Sequence, residues 1–270
     1  MIVLRYLFTA WAFLLFIAFI LVGIVVYFFL SIFKRQHAQR GYMAYNRFWM
    51  RSWAFLCGVR LKVVPNPLID PNRQYIFAPN HTSLGDVVMG PAAFGGACTA
   101  LGKIELKKIP LMGYLFAKSC ILVDRNDPES RRKSIEQMRQ IGKDNISVVV
   151  FPEGTRNASG FPPLLDFHSG AFRIAIDLQI PLVPSAIIGA RNLMPNEKPP
   201  LYPCQITCMY ANPIDTAGLT HDDLPWLSNK TYNAILQLLA EHDPLYAPQK
   251  EQILAQYHKK NDKPPIKYAP

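Results

Sequence analysis

The sequence predicts an α/β domain, a mixed and largely parallel sheet flanked by helices, joined to an N-terminal membrane-anchoring helical segment. Three observations predict it. From about Leu61 onward, short apolar runs alternate with helix-like segments, the pattern of a layered α/β domain. The run Ile146-Ser-Val-Val-Val-Phe151 is apolar nearly throughout, as a strand covered on both faces must be. Ahead of all this, the 28 residues from Tyr6 to Phe33 carry no charge, a longer run than the roughly 20 that a helix needs to cross a bilayer.

In order, the apolar run comes first. It ends at Lys34-Arg35 and not at a small-residue cleavage site, so it reads as a retained anchor and not as a signal peptide. Only Arg5 precedes it, whereas Lys34, Arg35, Arg40, Arg47, Arg51, Arg60 and Lys62 follow it before the first acid, Asp70. The positive-inside rule then puts the following domain on the cytoplasmic side, the inner-membrane face in a bacterium. Whether the run spans the bilayer or dips in and returns near Gly23 is not decided by its composition. Residues Gly41 to Gly58 mix Phe48, Trp49, Trp53, Phe55 and Leu56 with Arg47 and Arg51, which suits a helix lying in the membrane interface or one packing its aromatics on the domain. Strands are expected at Leu61–Val64, Gln74–Ala78, Cys98–Gly102, Cys120–Asp124, Ile146–Phe151, Leu182–Ile188 and Gln205–Tyr210. Asp127-Pro128 is a helix start, and further helices are expected over Ser169–Gln179 and Leu224–Glu241. The Pro- and Lys-rich stretch after Pro244 is expected to be loosely ordered. The chain thus divides into an anchor and interfacial helix (1–58), a catalytic α/β domain (59–243) and a tail (244–270).

The net charge of +10 asks for an anionic partner. Its basic residues crowd beside the apolar run and no nucleic-acid motif accompanies them, so an anionic membrane surface is the expected partner and nucleic acid is not. Five cysteines without a CxxC pair argue against a disulfide framework or a zinc site, and no metal site is expected.

Four segments carry chemistry. Asn80-His81-Thr-Ser83-Leu-Gly-Asp86 follows a strand. His81 and Asp86 are five apart and do not share a face of one continuous helix, but they meet if His81 sits in the turn and Asp86 in the first turn of the next helix. A carboxylate on one imidazole nitrogen fixes the tautomer and leaves the other as a base. A helix cap beside a chance histidine is the plain alternative. Phe151-Pro-Glu153-Gly154-Thr155-Arg156 ends the strongest strand: Gly154 permits a tight approach to an anion and Arg156 can grip a phosphate with two hydrogen bonds. A strand-to-helix turn with a Glu–Arg pair explains it equally without ligand. Lys103-Ile-Glu105-Leu106, Pro110, Gly113 and Asp124-Arg125 place Lys103 and Arg125 just after strands, on the rim where open α/β sheets bind ligands, or as solvated surface charges. Val183-Pro184-Ser-Ala-Ile187 is adequately explained as core.

Together and in this order the four segments resemble the patterns NHxSxxD, KxELxxxPxxG with a following DR, FPEGTR and VPxxI of the glycerolipid acyltransferase family, over roughly Leu61 to Tyr210. The resemblance implies an O-acyltransferase that moves a fatty acyl group from a thioester to the free hydroxyl of a lysophospholipid, 1-acylglycerol-3-phosphate above all, giving phosphatidic acid for phospholipid biosynthesis. It implies His81 as general base and Asp86 as its orienting partner, with substrate contacts from Asn80, Ser83, Lys103, Arg125, Glu153, Gly154, Thr155 and Arg156. Arg156 is then the foremost phosphate ligand, and N–H groups near Gly154 face the oxyanion. No cofactor is expected. The donor is acyl-CoA or acyl-ACP, which makes acyl carrier protein a candidate partner. Two positions depart from the family: Asn157 replaces the usual Ser, and His168-Ser169 stand where basic residues often precede Gly170-Ala171-Phe172. They leave open another lysophospholipid as acceptor. An inactive lipid-binding protein would be expected to have lost His81, Asp86 or the FPEGTR segment, all of which are intact. A hydrolase would need a G-x-S-x-G elbow, which does not occur.

Overall fold

The computed structural model describes residues 2–260 except 87–89, 91–92, 95–96 and 196–197, and except the side chains of 35 and 36. Seven strands form one sheet in the order β1-β7-β6-β2-β5-β3-β4: β1 Arg60–Val63, β2 Ile76–Pro79, β3 Cys98–Lys103, β4 Ile121–Val123, β5 Ser147–Val149, β6 Leu182–Ile188 and β7 Gln205–Tyr210. All neighbours are parallel except β6 and β7, so β1 and β7 run opposite to the other five. The expected mixed, largely parallel sheet is therefore present, and β6 and β7 have the boundaries their sequences suggested. The reason is plain in β6, where all seven residues are buried. A strand covered on both faces reads as an unbroken apolar run.

Helices α1 (Ile2–Leu30), α2 (Arg35–Leu56), α3 (Met112–Ser119), α4 (Pro128–Gly142), α5 (Gly170–Leu178), α6 (Leu224–His242) and α7 (Lys250–Tyr257) cover the sheet. Asp127 caps α4 as its sequence demands, accepting from the N–H groups of Glu129 and Ser130, with Pro128 in the first turn. The core is built on both sides of the sheet. One cluster joins Phe77, Val183, Ile187 and Ile206 to Trp49, Trp53 and Ala12, so α2 packs its two tryptophans inward on the domain while Phe48 and Phe55 stay exposed. The other joins Ile76, Val148 and Leu182 to Met138, Phe172 and Trp226.

Helix α1 is long and apolar enough to cross a membrane by length and composition. It is antiparallel to α2, and one stripe, Thr9, Ala12, Ile20, Gly23 and Tyr27, is buried. Trp53 Nε1–H donates to the Ala12 carbonyl at 2.9 Å, Tyr45 OH to that of Phe19 at 2.5 Å, and Tyr27 OH to Asn46 Oδ1 at 2.8 Å. Near its start, Thr9 Oγ1 accepts from Leu201 N–H of the domain at 2.9 Å. The opposite face, including Leu7, Leu14, Ile17, Leu21, Val25 and Phe28, is exposed. Docking runs the length of the helix, so the domain lies beside α1 and not beyond its end.

Two elements escaped the sequence reading. Helix α3 follows a tight turn in which Met112 N–H donates to the Pro110 carbonyl at 2.7 Å with Leu111 held at φ 62°, ψ −52°. This is a γ-turn of the strained hand, which costs a non-glycine residue on the order of 1–3 kcal/mol. Gly113 is required just after it, because a Cβ there would lie 2.1 Å from the Lys107 carbonyl oxygen. The stretch after Pro244 is also corrected: Tyr246 is fully buried, and α7 packs Ile253 against α6. Its Pro and Lys content concealed two buried anchors. Residues 261–270 of the expected tail lie outside the described residues.

At the end of β2 the ladder changes hands. Asn80 follows Pro79 and continues the pairing with its side chain, Nδ2 donating to the Ile187 carbonyl (3.1 Å) and Oδ1 accepting from Ile187 N–H (2.6 Å). Asn80 is 1% exposed. Asn80→Ala leaves both backbone groups of Ile187 without these partners, and thermal unfolding in detergent should report a loss of about 1–3 kcal/mol.

Candidate active site

Strand register assembles the site. β2 pairs with β5 through Phe77 and Val149, and four residues further on in each chain stand His81 and Glu153. β3 pairs with β4 through Lys103 and Val123, with Arg125 two residues beyond. The four segments therefore leave neighbouring strands at one carboxyl-terminal rim, where α/β sheets bind ligands.

The His–Asp ambiguity is resolved in favour of contact. His81 lies in the turn, Gly85 and Asp86 have begun a helical turn, and His81 Nδ1 is 2.7 Å from Asp86 Oδ2. The same oxygen accepts from the N–H groups of Thr82 (2.7 Å) and Ser83 (3.0 Å). Asp86 is fully buried, while the His81 side chain keeps 18% of its surface. With Nδ1–H donated to the carboxylate, the exposed nitrogen is Nε2, and its lone pair is available as a base. The Phe151 ring packs on the imidazole at 4.2 Å between centroids and prevents it from tipping.

Glu153 has a role that its neighbours in sequence do not disclose: it binds backbone. Its Oε1 accepts from His81 N–H at 2.7 Å and its Oε2 from Leu165 N–H at 3.0 Å. It therefore orients the histidine's own main chain. Burial pushes its carboxyl up to about 7, against the two N–H donors and the Arg191 charge, which pull it down. Asn157 closes the circle, its N–H donating to the His81 carbonyl at 2.7 Å. Its side chain binds the Pro162 carbonyl, Gly160 N–H and the Ser159 hydroxyl, so the departure from Ser at this position builds the loop from 157 to 162.

Other expected residues divide. Arg125 is brought in, its Nη1 donating to the Gly154 carbonyl at 3.3 Å. Gly154 has φ 69°, and a Cβ there would sit 2.6 Å from His168 Cδ2 and 3.1 Å from Arg125 Nη1. His168, one of the two departures from the family pattern and not among the expected site residues, is thus at the site, beside Gly154 and Arg125; its place before Gly170-Ala171-Phe172 was the available signal. Arg156 is half-buried in the same segment, and Thr155 and Lys103 are exposed on the rim. Asn80 and Ser83 are corrected: both are 1% exposed, and Ser83 Oγ accepts from Gly85 N–H at 3.1 Å, so their side chains shape the loop. Behind the loop, missed entirely, Tyr246 OH donates to the Gly160 carbonyl at 2.6 Å and accepts from Arg191 Nη2 at 3.2 Å.

A buried carboxylate–imidazole pair on a sheet rim beside cationic groups, with an apolar helix docked alongside, has the chemistry for base-dependent transfer or hydrolysis on anionic, lipid-like molecules. Comparison with known proteins narrows this. Residues 60–188 match the model of the Acyltransferase family, and with the relatives and the fold this supports an O-acyltransferase of the 1-acylglycerol-3-phosphate acyltransferase type. It is 28% identical over 189 residues (69% of this chain, 66% of that one) to human 1-acyl-sn-glycerol-3-phosphate acyltransferase alpha. It is 26% identical over 260 residues (92% and 84%) to the 1-acyl-sn-glycerol-3-phosphate acyltransferase of Saccharomyces cerevisiae. An uncharacterized acyltransferase of Schizosaccharomyces pombe is 29% identical over 190 residues (68% and 67%). The crystal structure of PlsC, the 1-acyl-sn-glycerophosphate acyltransferase of Thermotoga maritima, shares the fold at a TM-score of 0.72 and 21% identity, covering 90% of this chain and 98% of that one. The matches span about two thirds of the first two relatives' length in this comparison.

Two outcomes test the site. Glu153→Gln puts a donor where an N–H already points. The folded Glu153 carboxyl titrates above its unfolded value, so its contribution to stability is present below about 4.5 and is lost as pH rises through about 7. The stability difference between wild type and Glu153→Gln, followed by thermal unfolding from pH 5 to 8, should accordingly shrink as pH rises. Tyr246→Phe removes the loop's outer tie and should cost about 1–2 kcal/mol, with the 157–162 loop cut faster by protease.

Proposed function

We propose that this chain acylates the free hydroxyl of 1-acylglycerol-3-phosphate from an acyl thioester, forming phosphatidic acid. The observation that carries the reading is the buried Asp86 on His81 Nδ1 with Glu153 holding the histidine backbone. In this mechanism His81 Nε2 takes the hydroxyl proton as that oxygen attacks the thioester carbonyl. Backbone N–H groups around Gly154 steady the tetrahedral oxyanion. The thiolate then leaves and the imidazolium returns the proton. No side-chain nucleophile is required. Arg125, Arg156 and His168, with Lys103 further along the rim, hold the acceptor phosphate. Residues 1–58 keep the site at the lipid surface, with the catalytic domain on the cytoplasmic face and the basic residues from Lys34 to Lys62 on anionic headgroups. The donor is acyl-CoA or acyl carrier protein charged with a fatty acid.

One observation favours a second acceptor. His168 stands beside Gly154 where a permanent cation would give a stronger phosphate grip, which suits a lysophospholipid with a larger, less charged headgroup. Membranes holding wild type or His81→Ala, offered 1-acylglycerol-3-phosphate and a panel of other lysolipids, separate these readings. His81→Ala should lose about 100- to 10,000-fold in kcat. Preference for a different lysolipid would replace the substrate and keep the mechanism, and unchanged activity would remove His81 as the base.

A further inference from the structure

We infer that the turn Ile109-Pro110-Leu111 is a second membrane contact, a wedge that enters an anionic lipid surface beside α1 and seats the Lys103 end of the rim at the headgroups. It rests on the attachment of α1 to the bilayer.

The turn leaves apolar side chains partly open. Ile109 is 39% exposed and Leu111 46%, and Tyr114 one turn later is also open. Leu111 takes a backbone conformation that disfavours a branched side chain, with φ 62°, and still keeps 46% of its surface open. The construction is deliberate at both ends: Met112 N–H closes on the Pro110 carbonyl, Gly113 N–H donates to the Ile109 carbonyl at 2.7 Å, and Gly113 is crowded against Lys107. A strained residue held outward in this way points to an occupant outside the chain.

A bilayer fits the turn's surroundings. Lys107, Lys108 and Lys118 are exposed around it, and Lys118 lies over the Tyr114 ring at 5.8 Å. Lysines encircling an apolar tip complement anionic headgroups above acyl chains. The tip also lies beside α1, because α3 packs Met112 and Leu115 against Ile20 and Tyr27 of that helix's buried stripe. Lys103 ends β3 and is joined to the turn by one short helical segment, Ile104–Lys108. Two contacts, α1 and this turn, would fix the tilt of the domain where one helix alone leaves it free to swivel.

The full chain is reconstituted in mixed phosphatidylcholine–phosphatidylglycerol vesicles, some with nitroxide-labelled acyl chains. A nitrobenzoxadiazole fluorophore is placed at Leu111→Cys, at Val22→Cys on the open face of α1, and at Asp222→Cys; wild type labelled in parallel sets the background of its five cysteines. Quenching at 111 comparable to that at 22, with none at 222, is the expected result. A signal at 111 like that at 222 overturns the wedge and leaves a protein partner as the occupant. In a second arm, Leu111→Asp should raise the KM for vesicle-borne acceptor about tenfold at unchanged kcat and leave turnover in detergent micelles as in wild type. Equal loss in vesicles and micelles assigns the turn a structural role and overturns the proposal. Wild type inactive on every acceptor would defeat the acyltransferase reading, and the quenching arm would still decide the wedge.

Discussion

One carboxylate oxygen holds the site together. Asp86 Oδ2 accepts from the imidazole of His81 and from two successive backbone N–H groups, Thr82 and Ser83. Burying an ionised carboxylate costs on the order of several kcal/mol unless donors replace its water. Three converging donors do so at Oδ2, while Oδ1 has no partner among the described residues, and the same geometry forces the turn between strand and helix to close around the aspartate. The imidazole position and the loop conformation are thus two results of one interaction. Neither could vary without the other.

The histidine is fixed from a second direction through its main chain. Glu153 takes the N–H of His81 and Asn157 donates to its carbonyl, so the loop after β5 grips the residue that follows β2 on both sides. That loop is in turn tied down from the far end of the chain by Tyr246 and Arg191. Rigidity passes from α6 and α7 through Gly160 and Asn157 to the His81 imidazole. In the proposed role, with Nε2 as a base toward a lipid hydroxyl, such bracing would matter, since small misplacements are costly in rate.

What the sequence disclosed follows from how local each cause is. β6 could be read because burial on both faces leaves an apolar run, and the start of α4 because Asp127 and Pro128 act on their immediate neighbours. The site residues could be listed because each follows a strand, and parallel neighbours bring such ends together. Their partners could not. Nothing near Glu153 in sequence says that it binds the backbone of a residue 72 positions away, and Tyr246 is 86 positions from the carbonyl it holds. Helix α3 was hidden for a different reason. It begins after a γ-turn at leucine, a conformation that sequence preference disfavours and that only the crowding of Gly113 against Lys107 discloses.

The docking of α1 bears on how such a site meets its substrates. A helix joined to the domain only by a tether would let the catalytic rim turn toward or away from the lipid. Here Thr9 is bonded to the loop before β7, Ala12 and Phe19 to α2, and Gly23 packs against α3. The exposed apolar face of α1 therefore has a set orientation relative to His81. With the acceptor and product proposed, which both stay in the membrane, the same contacts that fold the protein would set the path of the lipid into the site.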